Sequence, residues 1–139
     1  MTPTQHWSAR GIFDQNECLW GGWFVKGAKQ SVFFAGDTGY SKDFQDIAAK
    51  LGPVDWAMIP IGAYEPRWFM KKNHVNPEEA VQIHKDLHAK KSVAMHWGTF
   101  RLSDEPLYAP AEDLMKSLEK NKLSPEEFIL MKHGETKDL

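Results

Sequence analysis

The chain has 139 residues, a formal net charge of −2, 42% hydrophobic residues and 26% charged residues. This length fits one domain that buries a real core, and the small net charge argues against a nucleic-acid-binding protein. The single cysteine, Cys18, excludes an intramolecular disulfide and a cysteine-rich zinc finger, and we expect it to be a small apolar filler.

The sequence has no sign of a membrane span or a secretory leader. No apolar run approaches the roughly 20 residues that cross a bilayer. The first residues lack the basic start and the apolar stretch of a signal peptide. We therefore expect a cytoplasmic location, with peripheral membrane association as the alternative. The six tryptophans, eight phenylalanines and three tyrosines favour a core or pocket role over lipid contact.

A β-hairpin and a helix are the first predicted elements. Residues 19–25 and 31–35 are rich in aromatic and β-branched side chains and are separated by a five-residue turn. Ser41 is a candidate cap for a helix whose apolar residues fall at positions i, i+3, i+4 and i+7: Phe44, Ile47, Ala48 and Leu51. Gly52-Pro53 ends this helix.

Strands and helices then alternate to the end of the chain. Residues 55–61, 91–95 and 128–131 form buried-strand patterns. Asn76-Pro77-Glu78-Glu79 is a helix start with a capping box. Pro110 opens another helix, with Leu114, Met115 and Leu118 predicted to face inward. This order predicts a single layered α/β domain.

Polar residues stand where apolar strands end. Asp37 follows residues 31–36, His96 follows residues 93–95, and His6 precedes the hairpin. Strand ends hold side chains rigidly, and aspartate and histidine are suitable zinc ligands. Spacing alone is weak support, because a lone aspartate after a strand is more often a turn residue and a lone histidine is more often part of a core.

Longer motifs carry a more specific signal. Gln-His-Trp, Phe-Phe-Ala-Gly-Asp-Thr-Gly-Tyr, Ile-Pro-Ile-Gly-Ala-Tyr-Glu-Pro-Arg-Trp-Phe-Met, His-Val-Asn-Pro-Glu-Glu-Ala and His-Trp-Gly-Thr-Phe occur in this order. The chain thereby resembles the C-terminal half of the N-acylphosphatidylethanolamine-hydrolysing phospholipase D family, which has the metallo-β-lactamase fold. The resemblance implies an αββα architecture, of which this chain supplies a mixed sheet with helices on its outer face.

The resemblance also implies roles for individual residues. His6 corresponds to the last histidine of a first zinc site, Asp37 to the carboxylate that bridges two metals, and His96 to the histidine of the second site. His74 matches a histidine that faces the scissile phosphate, so Asp37 and His74 are the expected catalytic residues. The implied reaction is phosphodiester hydrolysis of an N-acylated phospholipid by a metal-bound hydroxide.

The family pattern also requires a His-x-His-x-Asp-His motif, and residues 1–139 do not contain one. Each zinc site then keeps two of about four ligands. We expect weak zinc binding and no family-level catalysis by this chain alone. We also expect one sheet face to lack its partner sheet, and to be covered by an absent N-terminal half or by self-association. The residues expected on that face are Phe33, Phe34, Trp56, Met58 and Ile59.

Several further residues are candidates with competing interpretations. Residues 64–72 form a predicted loop in which Tyr64, Arg67 and Trp68 are candidate substrate contacts. The competing interpretation is that the aromatic rings pack inward and the lysines stay in solvent. His84 and His88 have the i, i+4 spacing of a metal grip, but Lys85 breaks the zincin pattern, which favours an ordinary helix. His133 is either an outer partner of a ligand or a surface histidine.

Three hypotheses of function remain open at this point. The chain is part of a zinc phosphodiesterase that acts on N-acylated phospholipids, a non-catalytic α/β domain that dimerises, or part of a lactone hydrolase of the same fold.

Overall fold

A mixed sheet dominates the structure, a computed structural model that describes residues 1–9 and 11–137. Within these residues six strands lie in chain order. They are β1 (Thr2–Pro3), β2 (Gly21–Lys26), β3 (Ser31–Phe34), β4 (Trp56–Pro60), β5 (Lys91–Met95) and β6 (Phe128–Ile129). The pairs β1–β2 and β2–β3 are antiparallel, and β3 to β6 run parallel. The predicted hairpin and the later strands are confirmed.

Helices cover one face of this sheet. The helices are α1 (Asp43–Leu51), α2 (Arg67–Met70), α3 (Pro77–Asp86) and α4 (Ala109–Asn121). One apolar cluster joins buried residues of β3, β4 and β5 to buried residues of α1, α3 and α4. The mixed sheet with helices on its outer face is therefore confirmed. No described helix has the length and apolar character needed to cross a bilayer.

Helix starts agree with the sequence to different degrees. At α3 the Asn76 side chain accepts from the Glu79 amide and the Glu79 side chain accepts from the Asn76 amide, so the predicted capping box is confirmed. At α1 the cap position belongs to Lys42, while the Ser41 hydroxyl accepts from the amide of Asp43. The difference is one residue, which is within the usual variation of helix ends.

Three smaller predictions were wrong. Met115 is 43% exposed, because it lies at the edge of the apolar stripe formed by Leu114 and Leu118. Cys18 is exposed and does not fill a core. Residues 67–70 of the predicted loop form the short helix α2.

The other face of the sheet carries exposed apolar side chains. Trp23, Phe34 and Met58 are neighbours across three strands, and they are 55%, 41% and 36% exposed. Phe33 and Ile59, which we expected on this face, are fully buried under the helices. That expectation was wrong for these two residues, because successive residues of a strand point to opposite faces. The sheet therefore has one covered face and one apolar face open to solvent.

A backbone junction after β3 gathers distant parts of the chain. The Gln5 amide donates to the buried Thr38 hydroxyl at 3.0 Å, and the Gly39 amide donates to the Gln5 carbonyl at 2.7 Å. On the other side, the Val75 amide donates to the Thr38 carbonyl at 2.9 Å. Residues 5 and 75 are the chain neighbours of His6 and His74. The junction therefore brings both histidines to the strand end that carries Asp37.

Close backbone contact at Gly39 makes this junction possible. A Cβ atom at residue 39 would lie 2.3 Å from the carbonyl oxygen of Lys72, which is backbone and cannot rotate away. A second close contact holds β4 and β5 together, since a Cβ at Gly62 would lie 2.2 Å from the His96 carbonyl oxygen. His96 itself has a φ of 59°, a left-handed conformation that is uncommon for non-glycine residues.

We expect Gly39→Ala to separate residues 37–39 from residues 72–75. Forced overpacking of this kind typically costs about 1–3 kcal/mol. The measurement is the free energy of unfolding in urea, with Gly11→Ala as the control because a Cβ there meets only an ordinary 3.5 Å contact. Equal stability of the two variants would contradict the close contact at Gly39.

Candidate active site

Four polar side chains from four separate segments form one cluster. The Nε2 atoms of His6 and His74 are 3.3 Å apart. The rings of His74 and His96 stack at 5.7 Å, and Nε2 of His96 lies 3.5 Å from Oδ1 of Asp37. Asp37 and His96 follow the C-terminal ends of the parallel strands β3 and β5, and His74 lies between α2 and α3. The cluster therefore contains all four residues that the resemblance assigned to metal binding and phosphate contact.

His74 occupies the middle of the cluster. Its side chain is buried, and its Nδ1 atom has no hydrogen-bond partner. Burial is the largest cause that lowers the pKa of His74 to about 4; nearby His6 also lowers it, while Asp37 acts in the opposite direction. The His74 imidazole is therefore neutral at neutral pH and can serve as a hydrogen-bond donor or acceptor without carrying a charge.

The flanking histidines are oriented by different contacts. His6 Nδ1 lies 2.7 Å from the Trp7 carbonyl, so this nitrogen carries the proton and Nε2 presents a lone pair. His96 turns Nε2 towards Asp37, and its Nδ1 is buried without a partner. Buried polar atoms without a protein partner are rare, and two of them adjoining one cluster are typical of a functional site.

These side chains do not by themselves fit a metal ion. Across residues 1–9 and 11–137, no three histidine, cysteine, aspartate or glutamate side chains are arranged to hold one ion. The donor types suit zinc, but a stable zinc site normally needs about four ligands. The cluster offers instead two close pairs, His6 with His74 and Asp37 with His96.

The three candidate substrate contacts have different surroundings, and of these three Arg67 bonds directly to a cluster residue. Arg67 donates to the His74 carbonyl at 2.8 Å and forms an ion pair with Glu79 at 2.7 Å. Tyr64 is buried, and its hydroxyl donates to Asp113 at 2.7 Å. Trp68 is 86% exposed. Substrate contact remains a prediction for all three residues, and Trp68 has the most accessible side chain.

Aromatic rings line one side of the cluster and continue onto the surface. His6 stacks on Trp20 at 4.8 Å and contacts Trp7; Trp7 contacts Phe69 at 5.7 Å, and Phe69 contacts Trp68 at 5.7 Å. We call these five residues the aromatic ribbon. The predicted inward packing of residues 64–72 does not describe Trp68 and Phe69, both of which are exposed. Lys71 and Lys72 are also exposed and follow the ribbon in the chain.

The remaining histidines stand apart from these contacts. His84 is buried, its Nδ1 lies 2.8 Å from the Ser92 hydroxyl, and its ring contacts Phe128. It is a core residue, as the ordinary-helix interpretation predicts. His88 is exposed at the end of α3. His133 bonds to the Thr99 hydroxyl at 2.8 Å and contacts Trp97, the chain neighbour of His96.

Sequence reasoning missed two residues that shape the site. Thr38 is fully buried at the backbone junction, and its place in Gly-Asp-Thr-Gly was the available signal. Glu105 is buried and bonded to residues 63–65. No local pattern announces Glu105, because its partners lie about forty positions earlier in the chain.

Comparisons with known proteins show the family to which the chain belongs. Residues 1–97 match the family model described as a beta-lactamase superfamily domain. The chain is 45% identical over 136 residues to an N-acyl-phosphatidylethanolamine-hydrolyzing phospholipase D 1 from Caenorhabditis elegans, covering 96% of this chain and 38% of that protein. It is 42% identical over 116 residues to a mitochondrial protein of the same activity name from Saccharomyces cerevisiae, covering 81% of this chain and 25% of that protein.

The fold is also found among solved structures. Igni18, a metallo hydrolase from the archaeon Ignicoccus hospitalis, superposes with a TM-score of 0.67 at 24% identity, covering 96% of this chain and 48% of that chain. The chain thus spans less than half the length of these relatives. The matched model, the relatives' sequences and the shared fold together place the chain in the beta-lactamase superfamily domain family, with the metallo-β-lactamase fold and a specific likeness to N-acyl-phosphatidylethanolamine-hydrolysing phospholipase D.

Proposed function

We propose that this chain forms the C-terminal part of a zinc-dependent phosphodiesterase that acts on N-acylated phospholipids. In this proposal His6, Asp37 and His96 are metal ligands, and His74 faces the phosphate of the substrate. The further ligands come from residues outside this chain. Among residues 1–9 and 11–137 no three candidate donor side chains are arranged to hold one ion.

The contact between the His6–His74 and Asp37–His96 pairs is the observation that supports the proposal. Four segments far apart in the chain bring these side chains together. His74 is neutral and buried, and its Nδ1 atom has no protein hydrogen-bond partner, so a substrate group can take that place. Asp37 offers carboxylate oxygens to a cation, and Glu79 anchors Arg67 next to His74.

Metal binding is expected to depend on ligands from outside residues 1–139. We expect the chain alone to take up zinc weakly, and a mixture with the non-matching part of the Caenorhabditis elegans relative to bind it at least about tenfold more tightly, because ligand number limits affinity. Competition with a coloured chelator measures this binding. Asp37→Ala and His96→Ala should remove the gain, while His88→Ala and His133→Ala should preserve it.

The same mixture separates the reaction classes. Hydrolysis of an N-acylated phosphatidylethanolamine that is lost in His74→Ala supports the phosphodiesterase, whereas hydrolysis of lactones alone supports the lactone hydrolase. Unchanged zinc binding in His96→Ala, or no zinc gain in a folded mixture, would rule out the proposed ligand set.

A second candidate, an association domain, is favoured by the open sheet face. Trp23, Phe34 and Met58 form a continuous apolar row, a feature that monomers rarely leave in water over more than a few hundred Å². Either the remainder of the fold or a second copy of the chain would cover it. Association through this face is compatible with the catalytic proposal when the missing part is present.

We expect the isolated chain to self-associate through this face. Phe34→Lys should lower the apparent mass in light scattering towards that of a monomer, because a buried lysine would lose its hydration. Leu51→Lys is the control, since Leu51 on α1 is equally exposed at 43% but lies away from the row. A monomer in the unmodified chain would contradict self-association, and equal effects of both variants would place the contact elsewhere.

The aromatic ribbon suits a lipid surface beside the proposed site. Tryptophan and phenylalanine prefer the interface of a bilayer, and the adjacent Lys71 and Lys72 favour anionic headgroups. Trp68 and Phe69 are 86% and 55% exposed at the outer end of the ribbon. A membrane at this position would bring a phospholipid headgroup close to His74.

Trp68→Ala should weaken binding to vesicles of phosphatidylcholine with anionic phosphatidylserine by about tenfold, since inserting a large aromatic side chain contributes on the order of 1–3 kcal/mol. Co-sedimentation measures the bound fraction. Tyr108→Ala serves as the matched control, because Tyr108 is 65% exposed and lies outside the ribbon. Equal binding of the two variants would argue against the ribbon as the contact.

A further inference from the structure

Glu105 is a buried carboxylate that neither the sequence pattern nor the proposed ligand set uses. It lies between β5 and α4 and is only 9% exposed. Acidic side chains are almost never buried to this degree without specific partners. The partners that keep the Glu105 carboxylate buried are therefore informative about the fold and the site.

Three consecutive backbone amides bind this one carboxylate. Oε1 accepts from the amides of Ala63 at 2.6 Å and Tyr64 at 3.3 Å. Oε2 accepts from the amide of Glu65 at 3.0 Å and from the Ser103 hydroxyl at 2.8 Å. Ala63 has a φ of 64°, and a left-handed residue among successive amides is typical of a backbone anion nest.

The nest holds Glu105 in its charged form. Burial is the largest influence and raises the pKa of this carboxyl, but the hydrogen bonds from Ser103 and from the backbone outweigh burial, so the pKa is lowered overall. Hydrogen bonds to an ionised acceptor are about twice as strong as neutral ones. Hydrogen bonds to a charged carboxylate about forty residues away in the chain therefore hold residues 63–65.

The loop of residues 62–66 touches the backbone of two cluster residues. Gly62 packs directly on the carbonyl of His96, where a Cβ would lie at 2.2 Å. At the other end, Arg67 donates to the carbonyl of Tyr64 at 3.3 Å and to the carbonyl of His74 at 2.8 Å. Glu105 thus connects to His96 through Gly62, and to His74 through Tyr64 and Arg67.

We propose that Glu105 is a positioning residue of the site, whose carboxylate fills a backbone nest and thereby fixes the imidazoles of His74 and His96. It does not contact a substrate. The inference rests on the proposed function only in treating these histidines as site residues. The contacts themselves are independent of any metal or reaction.

Chemical rescue provides a specific test. Glu105→Gly deletes five heavy atoms, and propionate supplies the same five atoms with the same charge. Propionamide has the same shape without the charge. The readouts are hydrogen exchange of the amides of residues 63–65 and the imidazole signals of His74 and His96 in NMR spectra of the metal-free chain, so neither readout depends on catalysis.

In Glu105→Gly we expect exchange of these three amides to rise by at least about tenfold and both imidazole signals to shift, while core amides stay protected. Propionate should restore the amides and both imidazoles, and propionamide should not. Glu135→Gly is the control, because Glu135 is exposed and its carboxylate binds one backbone amide, that of Lys132 at 2.8 Å. Propionate should change nothing in that variant.

Other outcomes would overturn the inference. Restoration by propionamide as well as propionate would mean that shape and not charge holds the loop. Restored amides with unrestored imidazoles would make Glu105 a loop anchor without influence on the site. If Glu105→Gly fails to fold, Glu105→Gln decides, since its amide group cannot accept from all three backbone donors: unchanged imidazole signals in that variant would refute the proposal. The rescue experiment uses the metal-free chain alone. If the reconstituted mixture neither binds zinc nor hydrolyses a phospholipid, the proposed function fails, but the test of Glu105 still stands.

Discussion

The site depends on the backbone junction at Thr38 and Gly39. Because Thr38 is fully buried and bonded on both sides, it draws the segment containing residue 5 and the segment containing residue 75 to the end of β3. Gly39 allows the close approach, since any side chain there would collide with the backbone of Lys72. His6 and His74 lie close together because these main-chain contacts fix their chain neighbours, Gln5 and Val75.

Local sequence patterns predicted the scaffold well where their physical cause was local. The capping box at Asn76 satisfies two amides within one turn, so four consecutive residues were enough to locate the start of α3. Asp37 and His96 became candidates because each directly follows an apolar strand, and the family resemblance then strengthened the prediction. The assignment of sheet faces was less reliable: Phe33 and Phe34 were given the same face, although adjacent strand residues must point in opposite directions.

Features that depend on distant partners left no local trace. Glu105 is an ordinary glutamate in the sequence, and only the fold reveals that residues 63–65 turn three amides towards it. The aromatic ribbon likewise combines rings from the N-terminal segment with rings from α2. Aromatic composition indicated a core or a pocket, whereas packing placed part of these rings on the surface. The predicted roles of the cluster residues came from the family resemblance, and the structure adds the distances between their side chains.

The origin of the cluster in four separate segments has a thermodynamic consequence. A binding site formed within one hairpin or one helix can survive when the rest of a chain opens, but this cluster disappears as soon as any one of its segments detaches. A ligand that contacts all four residues therefore binds only when the four segments are assembled, and by mass action it stabilises all four together. A bound ligand would thus oppose unfolding of the whole region from the first residues to the end of β5.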